Sequence, residues 1–193
     1  MSRPRKVAKV SVIIFTQLIS IDIIYWQIAV GRDAPADPPG VSRGMMDTNT
    51  QLTVSYITSS LNTPDQSRLI YVHGTPGDAT AFTADLQNPI EGFESISVDR
   101  PGLGQSTPKV PALTLEDQAN AIEPFLIEQG GRWPILIGHS MGGPIIAQVA
   151  GMYPDRVGGL VIIAGALDLE LEEWKWYSEE ELVECNPQKK PNL

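Results

Sequence analysis

Gly138-His139-Ser140-Met141-Gly142-Gly143-Pro144 decides the fold: a G-x-S-x-G core that follows the apolar run Trp133 to Ile137 and opens a helix-like segment. A strand that reverses sharply into a helix holds its apex residue in strained backbone geometry, which is tolerable only between small neighbours such as Gly138 and Gly142. Ser140 is the predicted apex. At such an apex the hydroxyl stands clear of the sheet, the N–H groups of the following helix point toward it, and the helix dipole favours negative charge nearby. The pattern reads as a nucleophile elbow. A bare G-x-S-x-G also arises by chance in glycine-rich loops, so its weight rests on the strand before it and the helix after it.

Outward from the elbow, strand-like and helix-like runs alternate. Gln51 to Thr58, Arg68 to Val72, Phe93 to Val98, Pro134 to Ile137 and Val157 to Ala164 read as strands; Ala79 to Leu86, Leu115 to Glu128 and Pro144 to Met152 read as helices. Thr114 caps the second helix with Asp117 three residues on, and Pro124 should kink it. This alternation predicts an α/β fold, a mainly parallel sheet with helices on both faces and ligand chemistry at the carboxyl ends of the strands.

Two further loops follow strands: His73-Gly74-Thr75-Pro76-Gly77, and Asp99-Arg100-Pro101-Gly102-Leu103-Gly104-Gln105-Ser106. In this order and spacing the three loops resemble the α/β-hydrolase superfamily, specifically its cap-bearing serine hydrolases, over roughly residues 48 to 175. The resemblance implies Ser140 as nucleophile and the backbone N–H groups of Thr75 and Met141 as the oxyanion hole. It implies no metal or other cofactor and a small-molecule acyl substrate. His73, Gly74, Gly77, Gly138, His139 and Gly142 are expected to shape the site, although a tight turn after a strand explains Gly74 and Gly77 equally well. Asp99 is expected to be structural, with Arg100 and Gly102 at the floor of the site. Gly102-Leu103-Gly104 is not a phosphate loop, since no third glycine or Gly-Lys-Ser/Thr follows.

One part of the pattern fails. A serine hydroxyl needs a base, and in this superfamily the partners follow in the order Ser, then Asp or Glu, then His. The two histidines are His73 and His139, and residues 141–193 contain none. Asp168 is a candidate acid, weighed against a solvated loop carboxylate. The resemblance further implies later strands, a cap and a histidine loop, whereas residues 168–193 form an acidic tail with Trp174, Trp176 and Tyr177 that reads as the start of a cap. The chain therefore reads as the N-terminal part of a hydrolase, truncated or a diverged short form, its serine chemistry absent or impaired. The alternative is a non-catalytic, membrane-tethered domain of the same fold. Without later strands, Val157 to Ala164 becomes an uncovered apolar edge suited to association, unless a helix over Trp174 to Glu184 covers it.

With 42% hydrophobic and 19% charged residues among 193, the chain has the make-up of one ordinary globular domain. A net charge of -9 excludes an electrostatic nucleic-acid binder. Cys185 is the single cysteine, which excludes an intrachain disulfide or cysteine metal cage. Arg3, Arg5, Lys6 and Lys9 precede Val10 to Val30, a run long enough for a membrane span despite Asp22. Residues 1–30 thus read as a signal anchor that sends the domain to the non-cytoplasmic side, or as a signal peptide cleaved near Ala34-Pro35-Ala36, or as a helix packed on a cytoplasmic domain. Residues 31–47, with Pro35, Pro38, Pro39 and three glycines, read as a linker, the core occupying 48–167.

Overall fold

The computed structural model of the protein describes residues 36–59, 66–109 and 114–165. Among these residues the frame is one six-stranded sheet: β1 (Val41–Asp47), β2 (Thr53–Ser59), β3 (Ser67–Val72), β4 (Phe93–Val98), β5 (Ile135–His139) and β6 (Gly159–Ile163), ordered β1-β2-β4-β3-β5-β6. The strands β4, β3, β5 and β6 run parallel, while β2 pairs antiparallel with both β1 and β4. Helices α1 (Thr83–Gln87), α2 (Leu115–Ile122) and α3 (Gly142–Met152) follow β3, β4 and β5. The expected α/β architecture is present.

Central strands of a parallel sheet are buried on both faces, and the period of two divides their side chains between two cores. Ile70 and Val72 of β3, Ile96 and Val98 of β4 and Leu136 of β5 pack with Ala119 and Ile122 of α2 and with Ile145, Ile146 and Val149 of α3. Leu69, Tyr71 and Ile137 face the other way, toward Phe82 in the 3-10 turn Ala79–Phe82 that leads into α1. Helices thus cover both faces. Thr114 caps α2 as expected, its Oγ1 accepting from the Asp117 N–H at 3.0 Å. The α-helix stops at Ile122, however, and Glu123–Phe125 continues as a 3-10 turn with Pro124 in its first turn. A proline has no N–H to give and its ring crowds the preceding turn, so the helix ends there instead of kinking on to Glu128.

The linker expectation for residues 31–47 is corrected by β1. Val41 to Asp47 pair with Ser59 to Thr53 along the whole strand, so the folded domain is under way by Val41 and not near residue 48. Two features hold this edge strand. Gly44 lies opposite Tyr56, whose ring fills the space a Cβ would take, and Arg43 reaches the buried carboxylate of Asp99 at 2.7 Å.

The chain makes its topological switch at β3: the connection to β4 goes to one side, and the next returns past β3 to β5 on the other. That is where α/β sheets open a crevice. The register brings the three loops out at one level, because Val72 lies beside both Val98 and Gly138. At the far edge β6 pairs with β5, and Leu160, Val161 and Ile163 are exposed. Among the described residues no helix is long and apolar enough to cross a membrane. The segment Val10 to Val30, Asp168 and the tail over 168–193, with the proposed helix at Trp174 to Glu184, lie outside the described residues.

Candidate active site

At the end of β5 the backbone of Ser140 takes φ +50, a left-handed conformation uncommon for a residue with a side chain. Such strain costs on the order of 1–3 kcal/mol and persists only where the surroundings over-determine it. Here the Ser140 N–H donates to the Ile163 carbonyl on β6 and the Ser140 carbonyl accepts from the Gly143 N–H, each at 2.9 Å. The two flanking glycines make the turn passable. A Cβ on Gly142 would overlap the Val72 carbonyl oxygen and lie 2.9 Å from its carbon. A Cβ on Gly138 would overlap the Gly142 carbonyl oxygen and sit 2.8 Å from the Gly143 nitrogen. Strand and helix meet with no room for any side chain at these positions.

The loop after β3 is brought against this turn. A Cβ on Gly74 would lie 2.8 Å from the Ser140 Cβ and 3.2 Å from the His139 Nδ1, so the Gly74 backbone touches the elbow. Two backbone N–H groups belong to these two turns. The Met141 N–H stands at the start of α3, where helical N–H groups have no intrahelical acceptor. The Thr75 N–H belongs to the loop beside it. Neither donates a hydrogen bond to a described residue.

His73 is fully buried, and both its ring nitrogens are occupied: Nε2 accepts from the Arg100 N–H at 3.1 Å, which leaves Nδ1 to donate to the Gly74 carbonyl at 2.8 Å. Burial, reinforced by the nearby Arg100 guanidinium, lowers its pKa to about 3. It is a neutral strut of the loop and has no free nitrogen to take a proton from Ser140. A Cβ on Gly77 would lie 3.1 Å from both the Gly74 carbonyl oxygen and the His73 Nδ1, so Gly77 closes over this bond. His139 differs, being exposed at the mouth of the site next to Ser140.

Below pH 6.5 an unfolded His73 binds a proton that the folded one refuses, so its contribution to stability is whole above pH 6.5 and falls away toward pH 3. Chemical unfolding at pH 7.5 and at pH 5 should therefore show a loss of about 2 kcal/mol from this residue, the slope approaching about 1.4 kcal/mol per pH unit at the acid end. A His73→Gln variant should lack that part of the slope. An unchanged slope in the variant would contradict the neutral, buried imidazole.

The loop after β4 is scaffold. The Asp99 carboxylate accepts from the Ala79 N–H at 2.6 Å and the Gln105 N–H at 2.9 Å, and pairs with Arg43. Its carbonyl accepts from the Ser106 hydroxyl at 2.7 Å, which in turn accepts from the Ser55 N–H. Burial pulls the Arg43 pKa down, but the hydrogen bonds and charges of Asp37 and Asp99 outweigh it and hold that guanidinium above its ordinary value. Sequence reasoning missed Arg43 altogether. The structure brings together Ser140, Met141, Thr75, Gly74 and His139, and no cluster of His, Cys, Asp or Glu among the described residues has the make-up of a metal site.

The pattern of residues 67–182 matches the family model described as the alpha/beta hydrolase fold, more than half of the chain. The chain belongs to the α/β-hydrolase family. It is similar to a pimeloyl-[acyl-carrier protein] methyl ester esterase of Shewanella woodyi, 31% identical over 128 residues, covering 65% of this chain and 47% of that protein. It is also similar to the dihydrolipoyllysine-residue acetyltransferase component of the acetoin cleaving system of Cupriavidus necator, 31% identical over 96 residues, covering 50% of this chain and 26% of that protein. Among solved structures, a bacterial membrane phospholipase A superposes with a TM-score of 0.57 at 24% identity, over 83% of this chain and 49% of its own. That likeness is one of fold. The chain spans about half the length, or less, of these three proteins.

Proposed function

We propose that Ser140 is the nucleophile of a hydrolase acting on esters or related acyl bonds, with the Thr75 and Met141 amides stabilising the oxyanion. The observation that carries the reading is a strained serine in a turn against which Gly74 packs, with the Met141 and Thr75 amides lacking an acceptor among the described residues. In acyl transfer the serine oxygen adds to the carbonyl carbon, the carbonyl oxygen becomes negative, and donors already in place stabilise that charge without reorganising. The start of α3 adds the positive end of its dipole. The methyl ester esterase among the similar proteins is an acyl hydrolase by name, which agrees with this class.

Among the described residues no base is engaged with Ser140: His73 is committed on both nitrogens, His139, exposed beside it, makes no hydrogen bond to the Ser140 hydroxyl, and residues 141–193 hold no histidine. On this reading the described residues leave Ser140 a weak nucleophile in a formed elbow. The commitment of His73 favours a second reading, in which the same crevice binds a ligand without catalysis.

Labelling with a fluorophosphonate separates the two. Wild type should accumulate one phosphonate on Ser140, slowly, while Ser140→Ala takes up none. Equal labelling of the two proteins would remove the nucleophile and leave the binding domain.

A further inference from the structure

Beside the elbow lies a buried polar network that the chemistry above leaves without a task, and it converges on one peptide unit. The Gly74 carbonyl accepts twice: from the His73 Nδ1 at 2.8 Å and from the Arg100 Nη2 at 3.2 Å. The same Arg100 nitrogen donates to the Thr75 hydroxyl, and Nη1 donates to the Gln118 Oε1 on α2 at 3.2 Å. The Arg100 backbone N–H closes the circuit on the His73 Nε2. Arg100 itself is 4% exposed, and its bonds to the Gly74 carbonyl and the His73 ring are buried while those to Thr75 and Gln118 are part-buried, with one arginine fork at their centre.

The peptide that follows Gly74 is trans, since the cis bonds among the described residues are Thr75-Pro76 and Thr107-Pro108. In a trans peptide the carbonyl and the next N–H point to opposite sides of the chain. Fixing the Gly74 oxygen therefore fixes the direction of the Thr75 N–H. Two donors on the buried side of the carbonyl turn that N–H outward, on the loop whose Gly74 lies against the Ser140 Cβ.

We propose that Arg100 is a positioning residue for the oxyanion hole: it clamps the Gly74 carbonyl and the Thr75 hydroxyl so that the Thr75 N–H is held toward the carbonyl oxygen of an acyl group on Ser140. The role rests on the reading of Ser140 and Thr75 given above. It assigns to the loop after β4 a share in the chemistry, delivered across β3 through an arginine that touches no reacting atom. Specificity for guanidinium follows from geometry. An ammonium at this position is a single point and cannot span the Gly74, Thr75 and Gln118 oxygens as a planar fork does.

The test uses the full chain labelled with nitrogen-15, comparing wild type with Arg100→Lys and Thr75→Val by amide relaxation and by fluorophosphonate labelling rate. Thr75→Val keeps the shape of the side chain and deletes only the acceptor for Arg100, so it reports even if Arg100→Lys does not fold. The Thr75 amide order parameter should drop from about 0.85 to below about 0.6 in Arg100→Lys and partway in Thr75→Val, with the Met141 amide unchanged. Labelling should slow about tenfold in Arg100→Lys, a fraction of what deleting an oxyanion donor costs. A Thr75 amide as ordered in both variants as in wild type overturns the proposal whatever the labelling shows. Thr75 loosened in a protein whose wild type never labels supports the clamp and removes the nucleophile instead.

Discussion

Arg43→Ala is expected to cost about 3 to 5 kcal/mol of folding stability, a large part of the total for a domain of this size. Asp99 is buried, its side chain 1% exposed, and its ion pair with Arg43 is the one its carboxylate makes among the described residues. Removing the cation leaves a buried charge hydrogen-bonded to two backbone N–H groups, with Lys109 as a nearby cation that forms no ion pair with it, and breaking such a pair from one side is strongly destabilising. The second partner of Arg43 supplies the control. Asp37 is 30% exposed, so Asp37→Ala should cost less than about 1 kcal/mol. Chemical unfolding of the full chain measures both. Similar small losses for the two variants would mean that β1 is not held by the Asp99 pair.

Gly142→Ala is the second severe change, expected to cost about 3 kcal/mol or more, above the usual range for an added methylene. The methyl group would meet the Val72 carbonyl and come within 3.2 Å of the His73 carbonyl oxygen, backbone in both cases, and no side chain is there to swing aside. The elbow and the loop after β3 would have to separate, so labelling of Ser140 should fail along with stability. Nine residues on in the same helix, a Cβ on Gly151 meets nothing within 4 Å. There alanine should stabilise by up to about 1 kcal/mol, through helix propensity alone. If Gly142→Ala unfolds no more easily than wild type, the close crossing of α3 over β3 is not as described.

The strands that carry the chemistry were legible because their signals are local. β3 and β5 hold short apolar runs, as strands buried on both faces do, β4 alternates Ser95 and Ser97 with Ile96 and Val98, and all three lead into glycine-bearing loops. The Ser140 turn was legible for the same reason: the small residues it requires are its immediate neighbours. By contrast, β1 reads VSRGMMD, with a glycine, two charged residues and no aromatic, and follows prolines. What makes it a strand lies elsewhere in the chain, in the Tyr56 ring over Gly44 and in Asp99, 56 residues from Arg43. No local pattern encodes those partners. The end of α2 shows a milder failure, where the apolar period continues past Pro124 and the backbone does not.

Within the site, residue types were readable and their bonds were not. His73 announced itself as a loop residue, but that both its nitrogens are spent depends on the β3–β4 register, which sets the Arg100 N–H beside Nε2. Arg100 likewise carried no mark of the fork it makes between the two loops and α2. Such geometry arises only when three strand ends stand level.

The pH dependence of Ser140 phosphonylation in the full chain tests the central claim most directly: an elbow serine with its oxyanion donors in place and no imidazole to activate it. With His73 neutral down to about pH 3 and committed to its loop, the rate should climb tenfold per pH unit from pH 5 to 9 without a plateau. A rate that rises through an inflection between pH 6 and 7 and then levels would show an imidazole working on Ser140, and would contradict the account.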